Sequence, residues 1–275
     1  MPSTIDPAIL RALSLSSSES NIAVHGGSGF ASTFRITAPS VSIFIKTSSA
    51  PGAAVMFEGE HASLNAIHDA VPSLCPKSFA WGKLDNGGYF LATEFLDLCG
   101  GLSGGTRSGK AKNAGIGMSL AEKLAKLHST PTPIPDGYDV PQFGFPVTTC
   151  CGDTPQDNRY TSSWAKFFGE RRLLAILEQG EKNNGDDPEL RRTVERIVDE
   201  VVPKLLGDGH LGGKEGITPV VVHGDLWSGN KSKGRFVGRD AINPDEAGPV
   251  EDIIFDASAF FAHNEYDFGI MNMFG

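Results

Sequence analysis

The sequence predicts an α+β fold of two lobes, a small antiparallel β-lobe with one helix followed by a larger, mainly α-helical lobe. Three observations predict it. From Ile22 to Phe95, short β-branched and aromatic runs alternate with Gly- and Asn-containing turns. Gly100-Gly101-Leu102-Ser103-Gly104-Gly105 then breaks the pattern with a flexible polar stretch. Beyond it, apolar residues recur at helical spacing. The expected organisation is a β-rich lobe over 1–98, a linker over 99–112 and an α-rich lobe over 113–275. A chain of 275 residues is long enough for two lobes or one large domain.

Taken in order, Asp6-Pro7 opens a short helix with Ile9, Leu10 and Leu13 on one face, fading into Ser16-Ser17-Ser18. Ile22 to Ile36 reads as strand, glycine turn, strand. Glycines there, Gly27 and Gly29, let backbone amides approach phosphate oxygens; an ordinary hairpin is the other reading. Val41 to Lys46 alternates in the strand period and ends on a lysine. A strand-end lysine is ordinarily solvated. Two strands after a glycine turn, however, is where a kinase-like lobe keeps its phosphate-binding lysine.

Such an ammonium needs a carboxylate to hold it. Met56 to Ile67 supplies one if it is a helix with Phe57, Leu64 and Ile67 on its apolar stripe: Glu60 lies on the inward flank, Glu58 does not. That helix stops before Val71-Pro72. Lys77 to Trp81 and Gly88 to Phe95 are two strands around Asp85-Asn86-Gly87-Gly88, and the backbone of Glu94, Phe95 and Leu96, just before the break, would form a hinge facing an adenine. Beyond the linker, Met118 to His128, Trp164 to Gln179 and Pro188 to Leu206 are amphipathic helices, with His128 packed or capping at a helix end. Lys231 to Pro249 reads as a solvated hairpin extension or, with Lys231, Lys233, Arg235 and Arg239, as a basic rim near phosphates. In the last segment Asn264 is placed to cap a closing helix.

The chemistry centres on Val220-Val221-Val222-His223-Gly224-Asp225-Leu226-Trp227-Ser228-Gly229-Asn230. A buried strand delivers a polar loop with a carboxylate and, five positions later, a carboxamide. Phosphoryl transfer needs an acid beside the attacking hydroxyl, here Asp225, and a neutral oxygen ligand for magnesium, here Asn230. A second metal-binding acid is expected after the next hairpin, and Val250 to Asp256 supplies Asp256. These features together predict a bilobal protein-kinase-like fold.

Composition narrows the classes. A net charge of −9 excludes a protein that coats duplex nucleic acid. No apolar run approaches the roughly 18–20 residues that span a bilayer. Met1 to Asn21 lacks the pattern of a secretory signal. Cys75, Cys99, Cys150 and Cys151 form no CxxC pair and are expected as buried free thiols, which fits a reducing cytoplasm.

Several segments together resemble the fructosamine-3-kinase (ketosamine-3-kinase) family, related to the aminoglycoside phosphotransferases. They are Met56-Phe57-Glu58-Gly59-Glu60, Phe143-Gly144-Phe145 with Thr149-Cys150-Cys151-Gly152 and Pro155-Gln156, Trp164 to Leu173, His223 to Asn230, and Asp256 to Gly275. The resemblance implies ATP- and magnesium-dependent phosphorylation of the 3-hydroxyl of a ketosamine, free or on a glycated protein lysine, as a deglycation repair. It implies Asp225 as catalytic acid, Asn230 and Asp256 as metal ligands, Lys46 with Glu60 as phosphate clamp, and Glu94 to Leu96 as hinge. On the sugar side Trp227 offers an aromatic wall, with His263 and Glu265 near the last helix. Departures are Ala257 where the family usually has proline, Ala262 where it has glycine, and Phe30 where some members carry a cysteine. Similar proteins continue past Gly275 with further helices, so the α-lobe is expected to be incomplete. Phe268, Ile270, Met271 and Phe274 would then offer an apolar face for self-association. A kinase of the same fold acting on an amino-sugar or choline-like alcohol is the alternative enzyme, and a nucleotide-binding scaffold without turnover the alternative outside enzymes.

Overall fold

The computed structural model describes residues 4–27, 31–39, 41–99, 117–212, 216–239, 248–271 and 273. The expected linker falls, apart from Cys99, outside them. So does Gly29 of the glycine turn.

Helix α1 (Pro7–Leu13) starts where Asp6 Oδ1 accepts from Ala8 N at 2.8 Å, with proline in the first turn. The same carboxylate accepts from the amides of Asp85 and Asn86, so the N-terminus is clasped to a distant turn. Strands β1 (Asn21–Gly27), β2 (Ser32–Ala38) and β3 (Val41–Ser48) form an antiparallel meander. Helix α2 (Ala53–Ala70) follows, then β4 (Ser78–Lys83) and β5 (Tyr89–Cys99). The first half of β5 pairs with β3 and β4.

Its second half was expected to lead out of the lobe and instead pairs with β9 (Lys231–Val237), which carries β10 (Glu251–Ile254) on its far edge. Among the described residues this completes a seven-stranded sheet in the order β1-β2-β3-β5-β9-β10, with β4 also on β5. The first seven residues of the stretch read as a solvated extension, Lys231–Val237, are therefore a sheet strand, and 240–247 lie outside the described residues. The strand's lysines and arginine hid it, because a strand needs apolar side chains only where it is covered; Gly234, Phe236 and Val237 are the buried positions. Arg239 ion-pairs with Glu94 and Lys233 with Asp252, and neither lines the cleft.

The larger lobe contains α3 (Leu120–Leu127), the hairpin of β6 (Thr149–Cys151) and β7 (Thr154–Gln156), and two long helices. Ser119 and Glu122 cap α3 reciprocally, and His128 ends it. Each long helix contains a π-helical stretch that the 3.6-residue pattern did not predict. One runs α4 (Trp164–Lys166), π turn Phe167–Leu174, α5 (Ala175–Asn184); the other α6 (Pro188–Arg196), π turn Ile197–Val201, α7 (Val202–Leu206). After α8 (Asp208–Leu211), the short strands β8 (Val220–Val222) and β11 (Phe260–Ala262) pair in the lobe centre.

The last segment departs from expectation. His263, not Asn264, is the cap: its ring accepts from Glu265 N, and a 3₁₀ turn Asn264–Asp267 precedes α9 (Phe268–Met271). Of the apolar face expected here, Phe268 is exposed, Ile270 and Met271 are half-buried with Met271 packed against the larger core, and Phe274 lies outside the described residues; Met273 is exposed as well. No described helix is long and apolar enough to cross a membrane. The four thiols are free, but only Cys75 is buried; Cys99 is exposed because it lies at the outer end of β5, and Cys150 and Cys151 are half-buried on a hairpin beside the cleft.

Two apolar cores match the two lobes. The smaller includes Ile9, Phe34, Ile36, Ile43, Ile45 and Phe90. The larger includes Phe143, Trp164, Phe167, Val222 and Phe260, and it also takes Leu64 and Ile67 of α2. The helix assigned by sequence to the small lobe thus buries Leu64 and Ile67 of its stripe in the large one. Lys123 of α3 secures the seam: fully buried, it donates to Ser73 O at 2.6 Å, Glu251 Oε2 at 2.5 Å and Asp252 O at 2.9 Å. A lysine is buried only when its charge and donors are matched. Lys123→Met, which strands Glu251 and two carbonyls, is expected to lower unfolding free energy by about 3 kcal/mol in urea titration. A loss below about 1 kcal/mol would show that the seam does not depend on this ion pair.

Candidate active site

The lobes face each other across a cavity of about 520 Å³, in the range that holds a small-molecule ligand. Along β3 the strand period turns Ile43 and Ile45 into the small core and Phe44, Lys46 and Ser48 into the cavity. Ala53, Phe57, Glu60 and Leu64 reach the same cavity from α2, at helical spacing. Lys46 Nζ meets Glu60 Oε1 at 2.7 Å and Asp256 Oδ1 at 2.5 Å. Glu58 does not line the cavity. Burial pulls the Lys46 ammonium downward, but Glu60 and then Asp256 outweigh it and hold the group above its ordinary value. Burial also pushes the Glu60 carboxyl upward, and Lys46 opposes that push.

The opposite wall is the loop after β8. Gly224 has φ +82°, and a Cβ there would collide with Ser258 O, so only glycine suits this turn. Buried Asp267 holds the loop by its backbone: its Oδ2 accepts from His223 N at 2.9 Å and its Oδ1 from Gly224 N at 3.0 Å. His128 Nε2 donates to the same carboxylate at 2.9 Å. His223 accepts from Asp225 N through Nδ1 at 3.2 Å and donates from Nε2 to Phe255 O at 3.0 Å, which fixes one neutral tautomer. Burial lowers its pKa in the same sense.

Asn230 Nδ2 donates to Asp225 O at 2.9 Å and to Asp225 Oδ2 at 3.0 Å, orienting the carboxylate and leaving the amide oxygen for another partner. Burial raises the pKa of Asp225, against the opposing pull of His223 and Asn230, and the charge of Asp256 adds to the rise. Asp256 is half-exposed and has φ +57°, a left-handed backbone uncommon outside glycine. Bonds from Phe255 N to Asn230 O and Ser258 N to His223 O bracket it.

Asp225, Trp227, Asn230 and Asp256 all line the cavity, as do Glu94 and Leu96 of β5. Phe95 points to the other face, under the Arg35 guanidinium at 4.5 Å. The Glu94 carboxylate is occupied by Arg239 and by Lys77 N, so of Glu94 to Leu96 what faces a ligand is backbone and the Leu96 side chain, flanked by Thr93 and Leu98. Gly27 ends β1 opposite Ser32, next to Ala31 and Thr33 on the cavity rim. His263 is not on the cavity; its ring stacks on Trp164 at 6.4 Å and burial lowers its pKa.

Sequence reasoning missed Asp267 and Cys150. The first stands in the polar run His263-Asn264-Glu265-Tyr266-Asp267, and nothing in periodicity separates it from Glu265 as the acid buried against a loop's amides. Cys150 lines the cavity at the β6 hairpin. Among the described residues no three His, Cys, Asp or Glu form a metal cage. Asp225, Asp256 and the Asn230 amide oxygen are hard oxygen donors, which suit a divalent cation completed by phosphate or water oxygens.

An α+β fold that sets a lysine–glutamate pair over an Asp–Asn loop is that of the kinase-like phosphotransferases. Within that class, the chain belongs to the fructosamine kinase family, whose model matches residues 4–275. It is 32% identical over 239 residues to a ketosamine-3-kinase of Mus musculus, covering 85% of this chain and 70% of that one. It is 32% identical over 229 residues to a chloroplastic protein-ribulosamine 3-kinase of Arabidopsis thaliana, covering 83% of this chain and 58% of that one. Two solved structures share the fold. One, from Thermobifida fusca and provisionally described as a fructosamine-3-kinase, has a TM-score of 0.66 at 23% identity over 98% of this chain and 80% of that one. The other is an aminoglycoside phosphotransferase in ternary complex with AMP-PNP and hygromycin B, with a TM-score of 0.51 at 12% identity over 96% of this chain and 74% of that one.

The geometry generates two predictions. Lys46→Met and Glu60→Gln should each cut turnover, and the double variant should lose less than the sum by about 1–3 kcal/mol of coupling. Additive losses would mean the pair does not act as a unit. The raised pKa of Asp225 links the site to stability. Because its folded value lies above the unfolded one, its contribution is fully present below about pH 4 and is lost as pH rises through the folded value. Asp225→Asn should therefore melt above the wild type at neutral pH, with the difference closing as pH falls toward about 4. A variant that melts below the wild type at neutral pH would contradict the strain assigned to this carboxylate.

Proposed function

We propose that the chain is an ATP-dependent ketosamine 3-kinase, acting on fructosyl- or ribulosyl-lysine, free or on glycated protein. The observation that carries this reading is the convergence of Lys46–Glu60 and Asp225–Asn230 on one cavity, with Asp256 touching Lys46 between them. The names of the mouse and plant relatives supply the acceptor.

In this reading the adenine lies against Leu96 and the β5 backbone, and the phosphates run toward Lys46. Lys46, kept charged by two carboxylates, stabilises the negative charge of the transferred group. Asn230 and Asp256 would hold magnesium, which would supply positive charge to offset that of the phosphates. Asp225, oriented by Asn230, takes the proton of the sugar hydroxyl; its raised pKa brings it closer to the working pH of a general base. Trp227 forms the wall on the acceptor side. The free thiols fit a reducing compartment such as the cytoplasm, and exposed Phe268 and Met273 offer an apolar face for self-association.

A coupled ADP-release assay tests the reading. Fructosyl- or ribulosyl-lysine should stimulate ADP release, and an amino-sugar or choline should not; the reverse order would place the chain with small-alcohol kinases. Asp256→Ala should shift the magnesium midpoint of ATP binding upward by about tenfold or more, as a lost charged ligand predicts. An unchanged midpoint would remove Asp256 from the metal site.

A further inference from the structure

Glu60 reaches the Asp256 loop through Lys46, and one turn further along α2 there is a second, direct connection. Ser63 is fully buried. Its Oγ donates to Gly59 O at 2.6 Å and accepts from Ala259 N at 2.9 Å, across 196 positions of sequence. Ala259 stands three residues after Asp256, as Ser63 stands three after Glu60. Two points on one helix thus hold two points on one loop.

The rest of α2 reinforces this contact. Gly59 faces β6 so closely that a Cβ would come within 2.7 Å of Thr148 O and 3.0 Å of Thr149 Cα. Leu64 and Ile67 belong to the same core as Ala257 and Ala259. The left-handed backbone of Asp256 is uncommon for a residue with a side chain and persists only where its surroundings over-determine it. Before Asp256 the Phe255 amide is tied to Asn230; after it, Ser258 is tied to His223 and Ala259 to Ser63. Of these ties, only Ser63 comes from the helix that carries Glu60.

We propose that Ser63 is a positioning residue that locks α2 and the Asp256 loop into one body, so that the carboxylates on either side of Lys46 are in register before nucleotide arrives. It touches neither substrate nor metal and acts through the placement of Asp256. The lysine–glutamate pair is then constitutive, with no resting state in which α2 swings away from the cleft. This inference rests on the phosphotransferase reading above.

Two measurements test it. First, magnesium is titrated at fixed nucleotide in wild type and Ser63→Ala, both well below their melting temperatures. The magnesium midpoint should rise about fivefold or more in the variant, the scale of one lost buried hydrogen bond. Nucleotide affinity without metal and KM for the ketosamine should stay unchanged while kcat falls. A lower melting temperature with an unchanged midpoint would reduce Ser63 to a packing residue and overturn the proposal. If nucleotide binding by the wild type is indifferent to magnesium, the phosphotransferase reading fails, and the second measurement decides Ser63 alone. Amide hydrogen exchange of the nucleotide-free wild type needs no variant: the Ala259 amide should be protected as strongly as the amides of α2. Fast exchange at Ala259 that slows only on addition of nucleotide would show a loop that docks late, against the lock.

Discussion

One ammonium group, Lys46 Nζ, receives a carboxylate from each side of the cleft, Glu60 of α2 and Asp256 of the loop after β10. Taking a lysine and a glutamate out of water is costly, and a single surface ion pair contributes too little to organise a lobe interface. Here the ammonium is largely shielded while Asp256 stays half-exposed, so one well-placed charge serves two acids at modest desolvation cost. Remove the ammonium and two negative groups are left uncompensated, one of them, Asp256, adding to the raised pKa of Asp225. The same concentration of negative charge is what a cation-assisted phosphoryl transfer requires. The apo arrangement and the proposed chemistry therefore have the same electrostatic cause.

Around that point the backbone is held rather than merely packed. Gly224 and Asp256 adopt left-handed conformations, and each is fixed by bonds from other elements: Asp267 grips the amides beside Gly224, while Asn230 and His223 grip those on either side of Asp256. His223 joins the two segments through Phe255 O and has a single tautomer for that reason. Buried polar groups hydrogen-bonded in this way make a rigid site. The apolar core contributes the coarser constraint, drawing α2 onto β8 and β11.

The parts of this site legible in sequence were those with local signatures. A β-branched run before His223-Gly224-Asp225, an asparagine five positions on, and a strand ahead of Asp256 are patterns set by near neighbours. Glu60 was separable from Glu58 because helical period alone puts one of them on the buried flank. What was not legible depends on distant partners. β9 hid under Lys231, Lys233 and Arg235 because only Gly234, Phe236 and Val237 are covered, and its partner β5 lies far away in sequence. Asp267 and Ser63 are ordinary polar residues whose importance comes from amides 44 and 196 positions away. The π turns in both long helices were not legible either, because a period of 3.6 does not encode them.

Transfer of a phosphoryl group to one hydroxyl of a ketosamine is tested by the identity of the product. Fructosyl-lysine is incubated with ATP and magnesium, and the phosphorylated sugar is examined by phosphorus–proton correlation. A single phosphorus coupled to the proton on carbon 3 is expected, formed by the wild type and absent with Asp225→Asn. Phosphorus coupled to another position, or product formed equally well by Asp225→Asn, would contradict it.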